Sequence, residues 1–246
     1  MVLNAAAGMV LAPVRELQSM SIPKNMHLIW VGDQSLRPDA WIQTWRDHHP
    51  GWDFRLWGND DYRSLPWSCK QQMDLFAARG EWCGVADIMR YQILNEHGGF
   101  YADADSVCVR PLDDSLLQNE MFVCNESEEH APGIIANGFI GAIPGHPVFS
   151  DMLENISHLG DMYRWGFYRW RLQKRSVAPW RAVGTLPFTK IVMRHRARVK
   201  ILPSVSFIPQ WSKDQEERVI YARHLWGTTN GNYDPGQKTL TPETFS

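Results

Sequence analysis

The sequence predicts an α/β fold: a mainly parallel sheet covered by helices, with a basic and mostly helical insertion in its second half. Three observations carry this. Apolar runs of strand length alternate with amphipathic stretches of helix length, in β-α-β-α order with short links. The 246 residues have ordinary globular composition, 44% hydrophobic and 21% charged, enough for one large core. No internal repeat or low-complexity linker interrupts the chain, so residues 1–246 read as a single domain with residues 160–200 as a helical subregion.

Residues 26–31 are an apolar run closed by Gly32-Asp33, which predicts a buried first strand with a loop at its C-terminal end. In residues 38–51, Trp41, Ile42 and Trp45 followed by a Pro-Gly stop predict a short helix. Trp52, Phe54 and Leu56 alternate as a second strand and then turn, and a helical region follows over residues 70–79. GVADIMRYQILNEHGG, residues 84–99, is the strongest helix signal: Ile88, Tyr91, Leu94 and Asn95 trace one side, and Gly98-Gly99 caps it. A strand over GGFYADADSVCV, residues 98–109, follows at once. Further strands are expected in MFVCNE and NGFIGAIPGHP, then a helix over residues 148–158.

Cys69, Cys83, Cys108 and Cys124 lack C-x-x-C spacing, which excludes a zinc knuckle or thioredoxin-type motif and leaves buried thiols as the expectation. The apolar start has no basic n-region and reaches a Pro within fourteen residues, too short to span a bilayer and unlike a secretory leader. The sequons at Asn125 and Asn155 are of a frequency expected by chance. A cytoplasmic location is the resulting expectation.

Residues two apart on a strand share a face, so Asp103 and Asp105 are expected side by side, with Tyr101 next in the row. Two such carboxylates raise each other's pKa unless a cation lies between them. A D-x-D pair alone is most simply a solvated strand edge; its position is the informative part. In open α/β sheets ligands bind beyond the carboxyl ends of strands, and paired carboxylates there suit Mg²⁺ or Mn²⁺, which would carry a phosphate-bearing substrate. Asp87 and Arg90, three apart on the preceding helix, are either an ion pair worth under ~1 kcal/mol or a pair that holds phosphate and sugar oxygens.

The blocks IPKNMHLIWVGD and ADIMRYQILNEHGGFYADADSVCVRPLD resemble glycosyltransferase family 32. These D-x-D sugar transferases include yeast-type initiating mannosyltransferases and bacterial capsule or lipopolysaccharide transferases, and are related to the clostridial glucosylating toxins. Asp87, Arg90, Tyr91, Leu94, Gly98, Gly99, Tyr101, Asp103 and Asp105 fall at the family's spacing. ANGFIGAIPGHPVF and VGTLPFT resemble later blocks, so the similarity runs, with gaps, over about residues 22–227. The resemblance implies a GT-A fold with a Rossmann-like nucleotide-binding sheet, and a metal-dependent, retaining hexosyltransferase using Mn²⁺ or Mg²⁺ and a UDP- or GDP-sugar. It places Trp30 on the nucleotide base, flanked by Ile29 and Val31, and Asp87 and Arg90 on the donor sugar's hydroxyls. It makes Asp103 the contact to ribose and metal, Asp105 the direct metal ligand, and His224 the third ligand. Tyr101 and Asn137 fall near the donor, Gly184, Pro187 and Thr189 in a loop beside the sugar, and Trp226 near the phosphates. Where the family ends that segment with Ser-Trp, Thr229-Asn230 stand here; the Thr229 hydroxyl is the substitute phosphate donor. No convincing nucleophile for a double displacement stands out, so front-face attack is the expected route.

His48 and His49, adjacent on a helix end, do not face one another and read as structural; Glu126, Glu128 and Glu129 read as a solvated loop, from which a carboxylate could approach an acceptor. Residues 162–213 hold twelve Lys and Arg and no acid, within a chain of net charge −2. This basic, aromatic-rich stretch is either a solvated face with snorkelling Arg stems or an acceptor-side surface. The second reading suits an anionic glycan or glycolipid, an anionic membrane at the inner surface, or nucleic acid. Two alternatives therefore stay open beside glycan transfer: a DNA-base-modifying glycosyltransferase, and a nucleotide-sugar-binding module without catalysis.

Overall fold

The computed structural model describes residues 21–159, 178–211 and 219–225. Its frame is a seven-stranded sheet of β1 (Asn25–Ile29), β2 (Asp53–Trp57), β3 (Gly99–Ala102), β5 (Met121–Ser127), β6 (Ala131–Ile135), β7 (Phe139–Ala142) and β8 (Val199–Leu202). The strand order is β2-β1-β3-β7-β5-β6, with β8 also paired to β5. β1 runs parallel to β2 and β3, and β8 parallel to β5; β7 is antiparallel to β3 and β5, and β6 to β5. The fold is α/β with a mixed sheet, and the parallel part is where the predicted β-α-β links lie. β4 (Ser106–Cys108) and β9 (Ala222–His224) form a separate antiparallel pair.

Side-chain alternation divides the core into two apolar layers. Ile29, Tyr101, Met121, Val123 and Ile140 face one layer, and Met26, Leu28, Phe100, Phe122, Cys124 and Phe139 the other. The helices are α1 (Asp39–His48), α2 (Asn59–Ser64), α3 (Lys70–Ala77), α4 (Trp82–His97), α5 (Asp114–Leu117), α6 (Pro147–Ser157), α7 (Pro179–Ala182) and α8 (Thr185–Arg194). The first layer is closed by α4 with α3, α6 and α8; Ile42 and Trp45 of α1 belong to the second.

The predicted helix at residues 84–97 is α4, but its burial is broader than one stripe. Every residue of 87–94 is buried, because α3 and α6 cover the side turned away from the sheet. Gly98 and Gly99 have φ of +59° and +103°, and a Cβ on Gly99 would lie 2.4 Å from the Asn25 carbonyl oxygen. Only glycine permits that reversal, which delivers β3 directly beside β1.

Three expectations need correction. Residues 98–109 are not one strand: β3 ends at Ala102, residues 103–105 turn, and β4 leaves the main sheet to pair with β9. The small, polar Asp-Ala-Asp-Ser run favours a turn over a ladder. The turn expected after Leu56, within residues 58–61, instead opens α2, because the Asp61 carboxylate accepts from the Gly58 N–H and starts the helix. The helical insertion holds over α7 and α8, whereas residues 199–200 already belong to β8; residues 160–177 lie outside the described residues.

Candidate active site

β1 and β3 run parallel, so their C-terminal ends open on the same side, where a cavity of about 480 Å³ is found. Trp30 leaves β1 there, its backbone N–H bonded to the Trp57 carbonyl and its indole N–H to the Asp33 carbonyl at 2.9 Å. Its half-buried ring and the flanking Ile29 and Val31 line one end of the cavity.

The turn after β3 supplies the carboxylates. The Asp103 N–H donates to the Gly138 carbonyl at 2.9 Å, and the Ser106 N–H back to the Asp103 carbonyl at 3.1 Å. β9 then brings in His224 from 121 residues away, opposite Ser106 in the ladder, and the Leu225 N–H fastens to the Asp105 carbonyl at 3.0 Å. His224 Nε2 lies 3.2 Å from Asp103 Oδ2 and 3.3 Å from Asp105 Oδ1. One ligand atom from each of Asp103, Asp105 and His224 falls within a 4.8 Å span. Two carboxylate oxygens and an imidazole nitrogen converging on one point fit a divalent cation with oxygen-rich coordination.

A resident cation occupies the other flank. Arg90 Nη2 lies 3.0 Å from Asp87 Oδ1 and 3.1 Å from Asp103 Oδ1, Nη1 donates to the Asn137 carbonyl, and the guanidinium sits 4.4 Å above the Tyr101 ring. Its side chain is only 5% exposed. The Tyr101 hydroxyl donates to Asp103 at 2.7 Å, so Tyr101, itself buried, positions the aspartate and has its hydroxyl committed. The Asn137 amide donates to Asp87 at 2.8 Å and to the Tyr91 hydroxyl at 3.1 Å. The pair expected to repel is therefore stabilised from both sides, by Arg90 and by His224.

Titration follows from this arrangement. Burial alone would raise the Asp103 carboxyl; Arg90, then His224, outweigh it and hold it well below the usual carboxylate range. Burial would lower His224, but Asp105 and then Asp103 push it up to about 9. Asp87 is raised to about 6, burial outweighing the pull of Arg90. In the metal-free protein His224 is thus an imidazolium across the two aspartates at neutral pH.

The site has little slack. A Cβ on Gly138 would lie 2.4 Å from Asp103 Oδ2. Gly138→Ala is expected to displace that carboxylate and weaken divalent-metal binding by about 10-fold or more, the scale seen when a ligand's support is disturbed; calorimetric titration with Mn²⁺ checks it.

Ile29, Trp30, Val31, Asp87, Arg90, Tyr101, Asp103, Asp105, Asn137 and His224, scattered over 196 positions of sequence, line this one cavity. Trp226 and Thr229 lie outside the described residues. Gly184 reaches the site, its Cβ position 2.9 Å from Asp87 Oδ2, and Thr185 lines the cavity. Pro187 and Thr189 sit on α8 rather than in a loop; the Thr189 hydroxyl accepts from the Ile135 N–H at 2.9 Å and donates to the Thr185 carbonyl at 2.7 Å. His49 is structural as expected, bonded to the Trp45 carbonyl and the Leu112 N–H.

The solvated-loop expectation holds for Glu128, exposed in the turn after β5, and fails for Glu126. Glu126 is half-buried on β5 and lines the cavity; Glu128 accepts from the Ser204 N–H at 2.9 Å and from its hydroxyl. A signal for Glu126 was present: it continues the alternating row Phe122, Cys124, which faces the core. Trp82 and Trp180 also line the cavity, and no spacing in the sequence marks them. In the basic stretch, Arg198 is committed to Glu120 and Arg196 to the Val199 carbonyl; residues 162–177 and 212–213 lie outside the described residues. Among the described residues no helix is long and apolar enough to cross a membrane.

Residues 37–123 match the family described as the glycosyltransferase sugar-binding region containing a DXD motif. Inositol phosphoceramide mannosyltransferase 3 of Schizosaccharomyces pombe is 30% identical over 158 residues, 61% of this chain and 41% of that protein. The chain thus spans well under two thirds of that curated relative's length. Among solved structures, the PaToxG glycosyltransferase superposes with a TM-score of 0.52 at 16% identity, covering 71% of this chain and 69% of that one. The UDP-bound glycosyltransferase domain of the YGT toxin gives 0.51 at 10% identity, covering 82% and 83%. The fold is therefore of the GT-A type.

Proposed function

We propose that the chain, whose residues 37–123 match the DXD-containing glycosyltransferase sugar-binding region, is a metal-dependent, retaining hexosyltransferase that uses a UDP- or GDP-sugar. The observation that carries this is the convergence of Asp103, Asp105 and His224 on one point in the cavity at the ends of β1 and β3. The UDP-bound state of one structural neighbour supports a nucleotide-sugar donor. The name of the yeast relative, together with the basic stretch, supports an anionic glycolipid or glycan acceptor.

In this reading Asp103, Asp105 and His224 would hold Mn²⁺ or Mg²⁺, which when bound offsets the charge of the departing diphosphate. Trp30 stacks on the base, with Ile29 and Val31 beside it. Asp87, oriented by Asn137 and Arg90, accepts from the donor sugar's hydroxyls, and Arg90 keeps Asp87 and Asp103 at fixed separation. Trp226 and Thr229 are the proposed phosphate contacts from the C-terminal segment. The anomeric carbon passes through an oxocarbenium-like state. The acceptor oxygen enters on the face the diphosphate leaves, and its proton goes to the departing phosphate oxygen.

The decisive experiment screens nucleoside-diphosphate release from UDP- and GDP-sugars with Mn²⁺. Cleavage of one donor class supports transfer and identifies the nucleotide; binding without cleavage of any donor would make the chain a binding module.

A pH prediction follows from His224. Its folded pKa is raised to about 9, so its pairing with the aspartates stabilises the metal-free fold below the unfolded value and is lost as pH rises through about 9. Metal must displace that proton. Apparent Mn²⁺ affinity should therefore rise about tenfold per pH unit between pH 6 and 8, for the release of one proton per ion. Calorimetry in buffers of different ionisation enthalpy measures the proton directly, and a flat affinity over that range contradicts the assignment.

A further inference from the structure

Glu126 stands out among the cavity's charged groups because nothing in the fold uses it. Asp87, Arg90, Asp103, Asp105 and His224 are tied to one another, whereas Glu126 has no hydrogen-bond or ion-pair partner among the described residues. It lines the same cavity and is close enough to Asp103 and His224 to feel both charges. Burial raises its carboxyl above the ordinary value, with His224 opposing and Asp103 adding to the shift.

The backbone is built around this side chain. Asn125 pairs with Ile135 and Ser127 with Ala131, so three residues of β6, Pro132, Gly133 and Ile134, stand opposite Glu126 alone. Gly133 takes φ +78° with open space around it. Interrupted pairing of this kind re-aims a side chain and recurs beside active sites. The row that begins with buried Phe122 and Cys124 thus ends in a carboxylate at the cavity wall. An unpaired, partly desolvated charge costs the fold stability, and such a cost is characteristic of groups kept for chemistry.

We propose that Glu126 is a further catalytic residue, the carboxylate that stabilises positive charge at the anomeric carbon as the diphosphate departs. The inference rests on the proposed sugar-transfer reading. The bond from the anomeric carbon to the diphosphate breaks, and its electron pair leaves on the phosphate oxygen. The acceptor oxygen forms the new bond, and its proton goes to that phosphate oxygen. Glu126 forms no bond and carries no proton; it contributes a fixed negative charge that matters only while the sugar is cationic, and preorganised charge of this kind is worth about 10²- to 10³-fold in rate.

The test is Glu126→Gln in the full chain, read by donor cleavage with water as acceptor, Mn²⁺-UDP and Mn²⁺-GDP binding, and thermal melting. Donor cleavage is expected to fall about 100-fold or more, with nucleoside-diphosphate affinity unchanged within about threefold and a melting temperature at or above wild type. Glu126→Asp should recover part of the rate. A merely structural Glu126 would instead lower the melting temperature on conversion to Gln. Cleavage by Glu126→Gln within about threefold of wild type overturns this role and leaves the transfer reading standing. A wild-type chain that binds Mn²⁺-UDP or Mn²⁺-GDP yet cleaves no donor sinks the transfer reading, and the role of Glu126 with it.

Discussion

Asp105→Ala is expected to abolish donor cleavage, by about 10³-fold or more, the scale on which charge-stabilising groups at a reacting centre act, while the protein melts close to wild type. The side chain is a proposed direct ligand and the largest electrostatic support of the His224 imidazolium. Its removal therefore takes away both a carboxylate oxygen and the charge that keeps His224 in place. The local backbone does not depend on it, because the Leu225 N–H bonds to the Asp105 main-chain carbonyl. Mn²⁺ titration should show affinity lost in parallel with cleavage. A variant that retains metal-dependent cleavage within tenfold of wild type would remove Asp105 from the site.

Arg90→Leu should have the largest effect on the fold. Wild-type Arg90 is 5% exposed and neutralises Asp87 and Asp103 together. Removing one partner of a buried ionic cluster costs about 3–5 kcal/mol, since the remaining charges are left uncompensated. For a chain of this size that corresponds to a fall of roughly 6–20 °C in melting temperature. The pH dependence has a definite sign. In the wild type the depressed Asp103 contributes stability that is present above its unfolded pKa and lost on acidification. In the variant both aspartates are raised, so protonation relieves the repulsion and the deficit narrows from pH 7.5 towards pH 5. Melts at those two pH values test it, and a variant within 2 °C of wild type at neutral pH would mean the cluster does not hold the fold. Asp103→Ala shares part of this penalty, because it strips Arg90 and the Tyr101 hydroxyl of a partner. The two aspartates of the motif should thus separate in stability even where both lose activity.

Much of the site was legible where chemistry and local conformation share a few adjacent residues. Asp87 and Arg90 at i, i+3 on an uninterrupted helix, a Gly-Gly reversal, and D-x-D after three intervening residues place four charged groups near one strand end by helix and strand geometry alone. The loop after the first apolar run was legible from Gly32-Asp33, whereas the role of Trp30 in it was suggested by resemblance. His224 was suggested by resemblance, because nothing in its own neighbourhood marks a metal ligand. Glu126 was read with its neighbours as a loop carboxylate near an acceptor at most, because three glutamates within four residues resemble a solvated loop, although its place in the alternating row pointed inward.

The sequence by itself determined the α/β class, the helix that carries Asp87 and Arg90, and the residues of the D-x-D motif. These follow from hydrophobic period, glycine conformation and spacing, all of which are properties of a dozen or so neighbouring residues. Only the tertiary structure decided how the aspartates are used. The turn at residues 103–105, the β4–β9 ladder that carries His224 across, the position of Arg90 between two carboxylates, and the cavity-facing Glu126 each arise from contacts between segments far apart in the chain. Charge interactions fall off with distance in space and with exposure. A carboxylate's partner, and so its charge state, is set by which segments pack together.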